Sequence, residues 1–321
     1  MKKLFTILAV AAAVVACQKN ETIALDNGEA ISFGNAFVEN STRAAVDPSY
    51  SANDIASFKV YGTVDASDGN PVVIYPGATV TKTADYGAAW TCKDAEGNEI
   101  KQYWVPGAAY KFVGIVDGDK ENVSQTTIVK GMPTTISYTA DGKTDLLCQT
   151  INKTANTDGT ANGLVAFNFN HLLSKVNFTV KTTSTAENYS FLVKNIKFVG
   201  NTAGVYDIEA AAWDDDSFTK GTTNLSELTL AAEANKTSEL TDELLFLPGT
   251  YSVSFTVDIL ANGQPITSTN YPAQGQTYSY TLDAANAYNF VVNVAVGELI
   301  QFTVEKQPEW TNSTPYPTPL Q

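Results

Sequence analysis

Three residues in this chain carry chemistry by type and position: Cys17, Arg43 and His171. Cys17 follows Val14-Val15-Ala16 at the end of an apolar stretch, Leu4 to Val15, that Lys2 and Lys3 precede. A positive start, an apolar core and small residues running into a cysteine form the bacterial lipobox. In that chemistry the thiol takes a diacylglycerol, the peptide is cut before it, and the new amine is acylated, palmitate being the expected acyl group. The stretch is shorter than the ~20 residues a spanning helix needs, and two or three acyl chains anchor more firmly than one. An ordinary signal peptide with an incidental Cys17 is the alternative.

Arg43 is the one arginine among twenty Lys and Arg residues. It stands in Ser41-Thr42-Arg43-Ala44-Ala45, a small polar stretch that offers an Arg-specific protease a single address between Arg43 and Ala44. Scarcity alone is the plainer reading, since one Arg must fall somewhere. Position argues for a cut, because Ala30 to Val38 lies between Cys17 and Arg43 and alternates as a strand. Ile31, Phe33 and Phe37 share one face of it. If this run fills a groove, cutting lets it leave and bares apolar pockets and two unpaired sheet edges. Refilling three such pockets is worth ~5–9 kcal/mol at about 1.5–3 each, and a strand from another subunit adds a backbone ladder. A flexible lipoprotein stalk is the alternative for the same residues.

His171 is the sole histidine, so any His-based triad or zinc site rests on it. Ser174, three residues on, falls on the opposite face of a strand or nearby if the segment turns. A buried His bonded to backbone is the simpler reading. The acidic runs Asp65 to Asn70, Asp117-Gly118-Asp119 and Asp214-Asp215-Asp216 lack the spacing and terminal Glu of a calcium loop, and turns account for them. No catalytic residue, metal or cofactor is assigned, and the expectation is that the chain is not an enzyme. Cys92 and Cys148 are either a disulfide or two buried thiols. Tyr103-Trp104 or Trp90 could stack on a sugar if exposed. That keeps open a monomeric surface lipoprotein binding glycan or host protein, with a glycan hydrolase a more distant alternative.

The net charge is −14 and stays so after a cut at Arg43, because the removed part holds four cations and four anions. An acidic chain left with no Arg has no basic stripe for phosphates, which excludes nucleic acid as a partner. About 300 mature residues suggest two domains. The dominant period is two: Phe58 to Val64, Tyr110 to Val116, Thr134 to Thr139, Val176 to Lys181, Phe191 to Phe198, Tyr251 to Leu260, Thr277 to Leu282, Tyr288 to Val296 and Ile300 to Glu305. Many short strands between Gly, Asn, Asp and Pro predict an all-β sandwich fold. Leu225 to Ala234 and Asn53 to Ala56 are the best short helix candidates, and Asn152 to Gly163 is the expected linker.

Phe167 to Val176, with Phe169, His171, Leu173, Ser174 and Lys175, resembles the F-x-H-x-L-S-K signature of the fimbrillin-like proteins of Bacteroidetes. Asp145-Leu146-Leu147-Cys148 resembles the strand before it, Leu245-Phe246-Leu247-Pro248 the later L-x-x-P strand, and Ile300 to Trp310 the I-x-F-x-V…W finish. The resemblance implies two tandem transthyretin-like β-sandwich domains, at 44–160 and 161–321, after a signal peptide at 1–17 and a propeptide at 18–43. It also implies a pilus subunit exported as an outer-membrane lipoprotein, cut by an Arg-specific protease and joined to other subunits in the fimbrium by donor-strand exchange. The donor is expected in Ile300, Phe302 and Val304. The tail beyond alternates Pro315, Pro317 and Pro319 and lacks the N–H groups a central strand needs. Those three residues equally suit a strand that simply closes its own domain. Shaft and tip positions in the fibre both stay open.

Overall fold

The computed structural model describes residues 28–34, 36–38, 55–65, 70–82, 90–233, 235–240 and 244–307. Cys17, Arg43, Ala44, residues 53–54 and the tail from 308 lie outside that set. Nine strands occupy the first part: β1 (Phe37–Val38), β2 (Ser57–Asp65), β3 (Pro71–Lys82), β4 (Trp90–Lys93), β5 (Ala109–Val116), β6 (Val123–Val129), β7 (Met132–Thr139), β8 (Leu147–Thr154) and β9 (Asn168–His171). Then come β10 (Ser174–Thr182), β11 (Tyr189–Asp207), β12 (Ala212–Trp213), β13 (Thr219–Asn224), β14 (Leu228–Ala231), β15 (Lys236–Glu239) and β16 (Leu244–Phe246). The last are β17 (Gly249–Ala261), β18 (Gln264–Tyr271), β19 (Tyr278–Leu282), β20 (Ala287–Val294) and β21 (Gln301–Gln307).

The all-β expectation holds, and the alternating segments read from the sequence are strands. Leu225 to Ala234 is not helical where described. Leu228–Ala231 is β14, with Leu228 and Leu230 buried in alternation and paired antiparallel to Val193 and Phe191. Packing on β11 outweighs the weak helical preference of so short a run. Ile55 and Ala56 are irregular.

One sheet runs β1-β9-β8-β5-β2-β3-β4. Its strands alternate, so each face builds its own core. Phe58, Val60, Tyr110, Phe112 and Leu147 join one cluster with Ile31, Phe33, Trp104, Phe167 and Phe169. Tyr61, Val113, Ile115, Leu146 and Cys148 join another with Ile136 and Tyr138 of β7 and Tyr206 of β11. The third cluster lies between β10 and β20, which pair in parallel, and the sheet of β11 and β17.

β11 ties the second and third cores together. Residues 189–199 pair with β17, whereas Ala203–Asp207 pair with β7. Pairing therefore crosses the expected division at 160/161 more than once, since β9 also belongs to the first sheet. At the crossing the Tyr251 ring is buried, with its hydroxyl 2.6 Å from the Asn201 carbonyl and 2.9 Å from that of Leu247. Gly200 is required there, because a Cβ would sit 2.2 Å from the ring. Gly200→Ala is expected to cost about 1–3 kcal/mol by overpacking, read as a lower urea midpoint at unchanged slope.

Candidate functional site

Residues 28–34 thread through the middle of a layer. On one side the Trp104 N–H donates to the Glu29 carbonyl at 2.9 Å and the Ile31 N–H donates to the Gln102 carbonyl at 2.7 Å, flanking an antiparallel Ala30–Tyr103 bridge. On the other, the Val165 N–H donates to the Ser32 carbonyl at 2.8 Å and the Gly34 N–H to the Val165 carbonyl at 3.3 Å. β1 continues that side, parallel to β9. Residues 99–100 in turn pair back to β4, where the Ile100 N–H donates to the Cys92 carbonyl at 2.8 Å. The pairing thus runs from β4 through 99–104 and the segment to β9, closing the ladder on itself. Closure removes the edges.

Alternation puts Ile31 and Phe33 inward and leaves Ala30 and Ser32 exposed. Phe33 is 5% exposed. Its ring meets Tyr75 edge-on at 5.2 Å, Phe112 at 6.2 Å and Phe58 at 6.3 Å. Burying these two side chains is worth about 3–6 kcal/mol. The expected inward face is therefore present at Ile31 and Phe33, while the side chain of Phe37 lies outside what is described.

Glu29 adds a contact that sequence reading missed. Its carboxylate accepts from the Asn162 N–H at 2.7 Å, the Asn162 Nδ2 at 2.8 Å and the Gly163 N–H at 3.3 Å. The Asn162 N–H is the main reason its pKa lies below the usual range, with the nearby Lys153 charge helping and desolvation opposing. Lys153 donates to the Asn162 carbonyl, 5.1 Å over the Trp104 ring. The loop is built from the stretch expected as a linker. Residues 152–154 end β8, the Asn156 N–H donates to Asn162 Oδ1 at 2.6 Å, and Asn156 Nδ2 donates to the Ala161 carbonyl at 3.0 Å. Its Asn, Asp, Thr and Gly content was the available signal, since those residues build hydrogen-bonded turns as well as linkers.

The other singled-out residues take structural positions. His171 is buried with Nδ1 at 2.9 and 3.1 Å from the Asp145 carboxylate oxygens, so its partner includes a side chain and not backbone alone. Ser174 donates to the Asp283 carbonyl at 2.8 Å. Cys92 and Cys148 are free thiols in cores on opposite faces of the first sheet, and burial pushes both up to about 12. Asp214 accepts from the Asp216 N–H and caps the short 3-10 turn Asp215–Ser217. Among the described residues no group of three or more His, Cys, Asp or Glu is placed to hold a metal. Trp104 is buried at 2% exposure and so is not an open sugar platform, while Trp90 is half-buried and packs on Phe58 at 5.8 Å. Phe302 and Val304 point inward from β21, which among the described residues is an edge strand paired with β20 alone, and Ile300 stands just before it.

The fimbrillin-like family matches residues 42–307. This chain belongs to it. The match to the fimbrillin-like family starts beside Arg43, leaves out the whole of 28–38, and stops at Gln307, where β21 ends. A proposed cell adhesion protein from Bacteroides ovatus is similar in fold at 16% identity and a TM-score of 0.50, over 87% of this chain and 95% of its own. Another from Bacteroides uniformis has 17% identity and a TM-score of 0.48, over 90% and 100%. A fimbrial anchor protein from Porphyromonas gingivalis has 12% and 0.39, over 88% and 97%. No curated protein matches the chain.

For this fimbrillin-like chain, Glu29 supports the seating of the segment above the ordinary Glu pKa. That support is lost as pH falls through the carboxylate's lower folded value. Glu29→Ala is therefore expected to speed amide exchange at Ile31 and Trp104 at neutral pH. The difference from wild type should vanish in acid, where the wild-type carboxylate is protonated too.

Proposed function

We propose that this protein is a pilus subunit made as a lipoprotein precursor and self-capped by its own first segment. Lipid on Cys17 holds the precursor at the outer membrane, and an Arg-specific protease cuts between Arg43 and Ala44. Residues 18–43 form the propeptide, and the body comprises two tandem sandwich units, the first reaching past residue 160 to include β9, which exchange strands with other subunits in the fimbrium. Membership of the fimbrillin-like family supports the pilus role.

One observation carries the maturation step. Residues 29–34 are hydrogen-bonded on both sides within the first sandwich, yet the match to the fimbrillin-like family begins only at residue 42. A strand that lies in the ladder but ahead of the Arg43 cut is suited to replacement. After the cut, only non-covalent contacts hold it, and a strand from a neighbouring subunit offers the same kinds of contact. Ile300, Phe302 and Val304 are the donor candidates, Ile300 just before and the other two alternating in a strand that pairs on one side among the described residues.

Arg43→Ala tests the reading. The variant is expected to stay monomeric and lipid-anchored while the wild type yields surface fibres, followed by immunogold microscopy and native gels. Fibres from the variant at wild-type level would sink the maturation step.

A further inference from the structure

The segment filling the first sandwich begins Gly28-Glu29-Ala30-Ile31-Ser32-Phe33. The same pattern recurs at Gly297-Glu298-Leu299-Ile300-Gln301-Phe302, around the only other Gly-Glu pair in the chain. Four of the six positions are identical, and the two that differ match Ala30 and Ser32, which face outward. Three of the shared residues match those that hold the segment: Glu29 in the Asn162–Gly163 notch, and Ile31 and Phe33 in the core.

The second copy of the pattern is less well held where it stands. Residues 297–300 precede β21 and carry no strand pairing among the described residues, and Leu299 is 92% exposed. Ile300 and Phe302 are half-buried, whereas Ile31 and Phe33 are buried. Among the described residues β21 pairs with β20 alone, but the segment at 29–34 is bonded on both sides. Leaving its place costs Phe302 its ring contacts with Phe255 and Tyr278 at 5.0 Å, Tyr280 at 5.9 Å, Phe290 at 6.1 Å and Phe178 at 6.4 Å. The vacated site offers Tyr75, Phe112 and Phe58 in exchange, at the distances Phe33 keeps.

We propose that the site vacated by residues 28–34 takes the Gly297–Phe302 strand of a second copy of this chain, with the Glu298 carboxylate in the Asn162–Gly163 notch setting the register. This rests on the strand-exchange reading above and adds the residue that the acceptor reads. A slip of one residue turns Ile300 and Phe302 outward. A slip of two keeps the faces but takes the carboxylate away from the Asn162 and Gly163 N–H groups, which then lose a charge-assisted acceptor. Apolar alternation alone permits the second error, and the carboxylate forbids it.

The register can be trapped. Leu299 would stand where Ala30 stands, opposite Tyr103 in a pair whose flanking hydrogen bonds leave the side chains close. After the Arg43 cut the native thiols are only Cys92 and Cys148, both buried and raised to about 12, so introduced cysteines react alone near neutral pH. Mixing cut Tyr103→Cys with cut Leu299→Cys under mild oxidation is expected to give covalent dimers with one subunit of each kind. Gln301→Cys in place of Leu299→Cys should give none. Glu298→Ala, with its thiols unaltered, is expected to need roughly tenfold more protein to assemble. Polymers that form without the 103–299 link, or Glu298→Ala assembling as wild type, would overturn the proposal and leave strand exchange standing. The repeat would then reflect only a likeness between the two sandwiches. A cut wild type that never polymerises would overturn both.

Discussion

A strand must lie between residues 99–104 and residues 163–167 for the first sandwich to close, and residues 29–34 supply it. The constraint is doubly physical. Backbone groups of 102, 104 and 165 need partners, and the aromatic floor of Phe58, Tyr75 and Phe112 needs a large apolar side chain over it. Phe33 and its backbone meet both needs at once. A core of stacked and edge-on rings is not deformable enough to collapse into the space of a missing phenyl group.

The second organising feature is the stretch 167–182, where the family's separate motifs meet. Asp145 reaches His171 while Leu147 pairs with it across the ladder, and the Leu172 N–H donates to the Leu146 carbonyl at 3.0 Å. Leu245 and Phe246 pair with Lys175 and Ser174, and β20 runs parallel beside β10 and carries β21 on its far side. The Trp213 indole N–H donates to the Leu172 carbonyl at 2.8 Å. The signature residues are thus joints between sheets. Their polar groups, His171 and Ser174 among them, satisfy backbone and carboxylate partners at a turn from one sheet to the next.

These two features place opposite demands on the same body. The joint at 167–182 is interlocked through strands from distant parts of the chain, so it opens only with the whole fold. The segment at 29–34 enters from one end, and a cut at Arg43 would leave it held by non-covalent contacts alone. Its covalent link supplies a high effective concentration that favours the capped state, and cutting removes that advantage. Under the proposed strand exchange, a neighbour's strand would then compete on the quality of its contacts. A net charge of −14 disfavours the close approach of like chains.

Much of this was legible in the residues. Period-two alternation is a local property, so it marks β2, β5, β10, β17 and β20 within a residue or two. It also marks Ile31 and Phe33 as an inward face without any partner in view. The lone Arg43 and the order of the family's short motifs are likewise read along the chain. What the tertiary structure decided is pairing over long separations. Glu29 meets a loop 133 residues away. Cys92 and Cys148 fall on opposite faces of one sheet, and β11 serves two cores. The short run at 228–231 became a strand because β11 offered an edge. Alternation tells which side of a strand faces inward. It does not tell which strand lies opposite, because that choice depends on how distant surfaces fit.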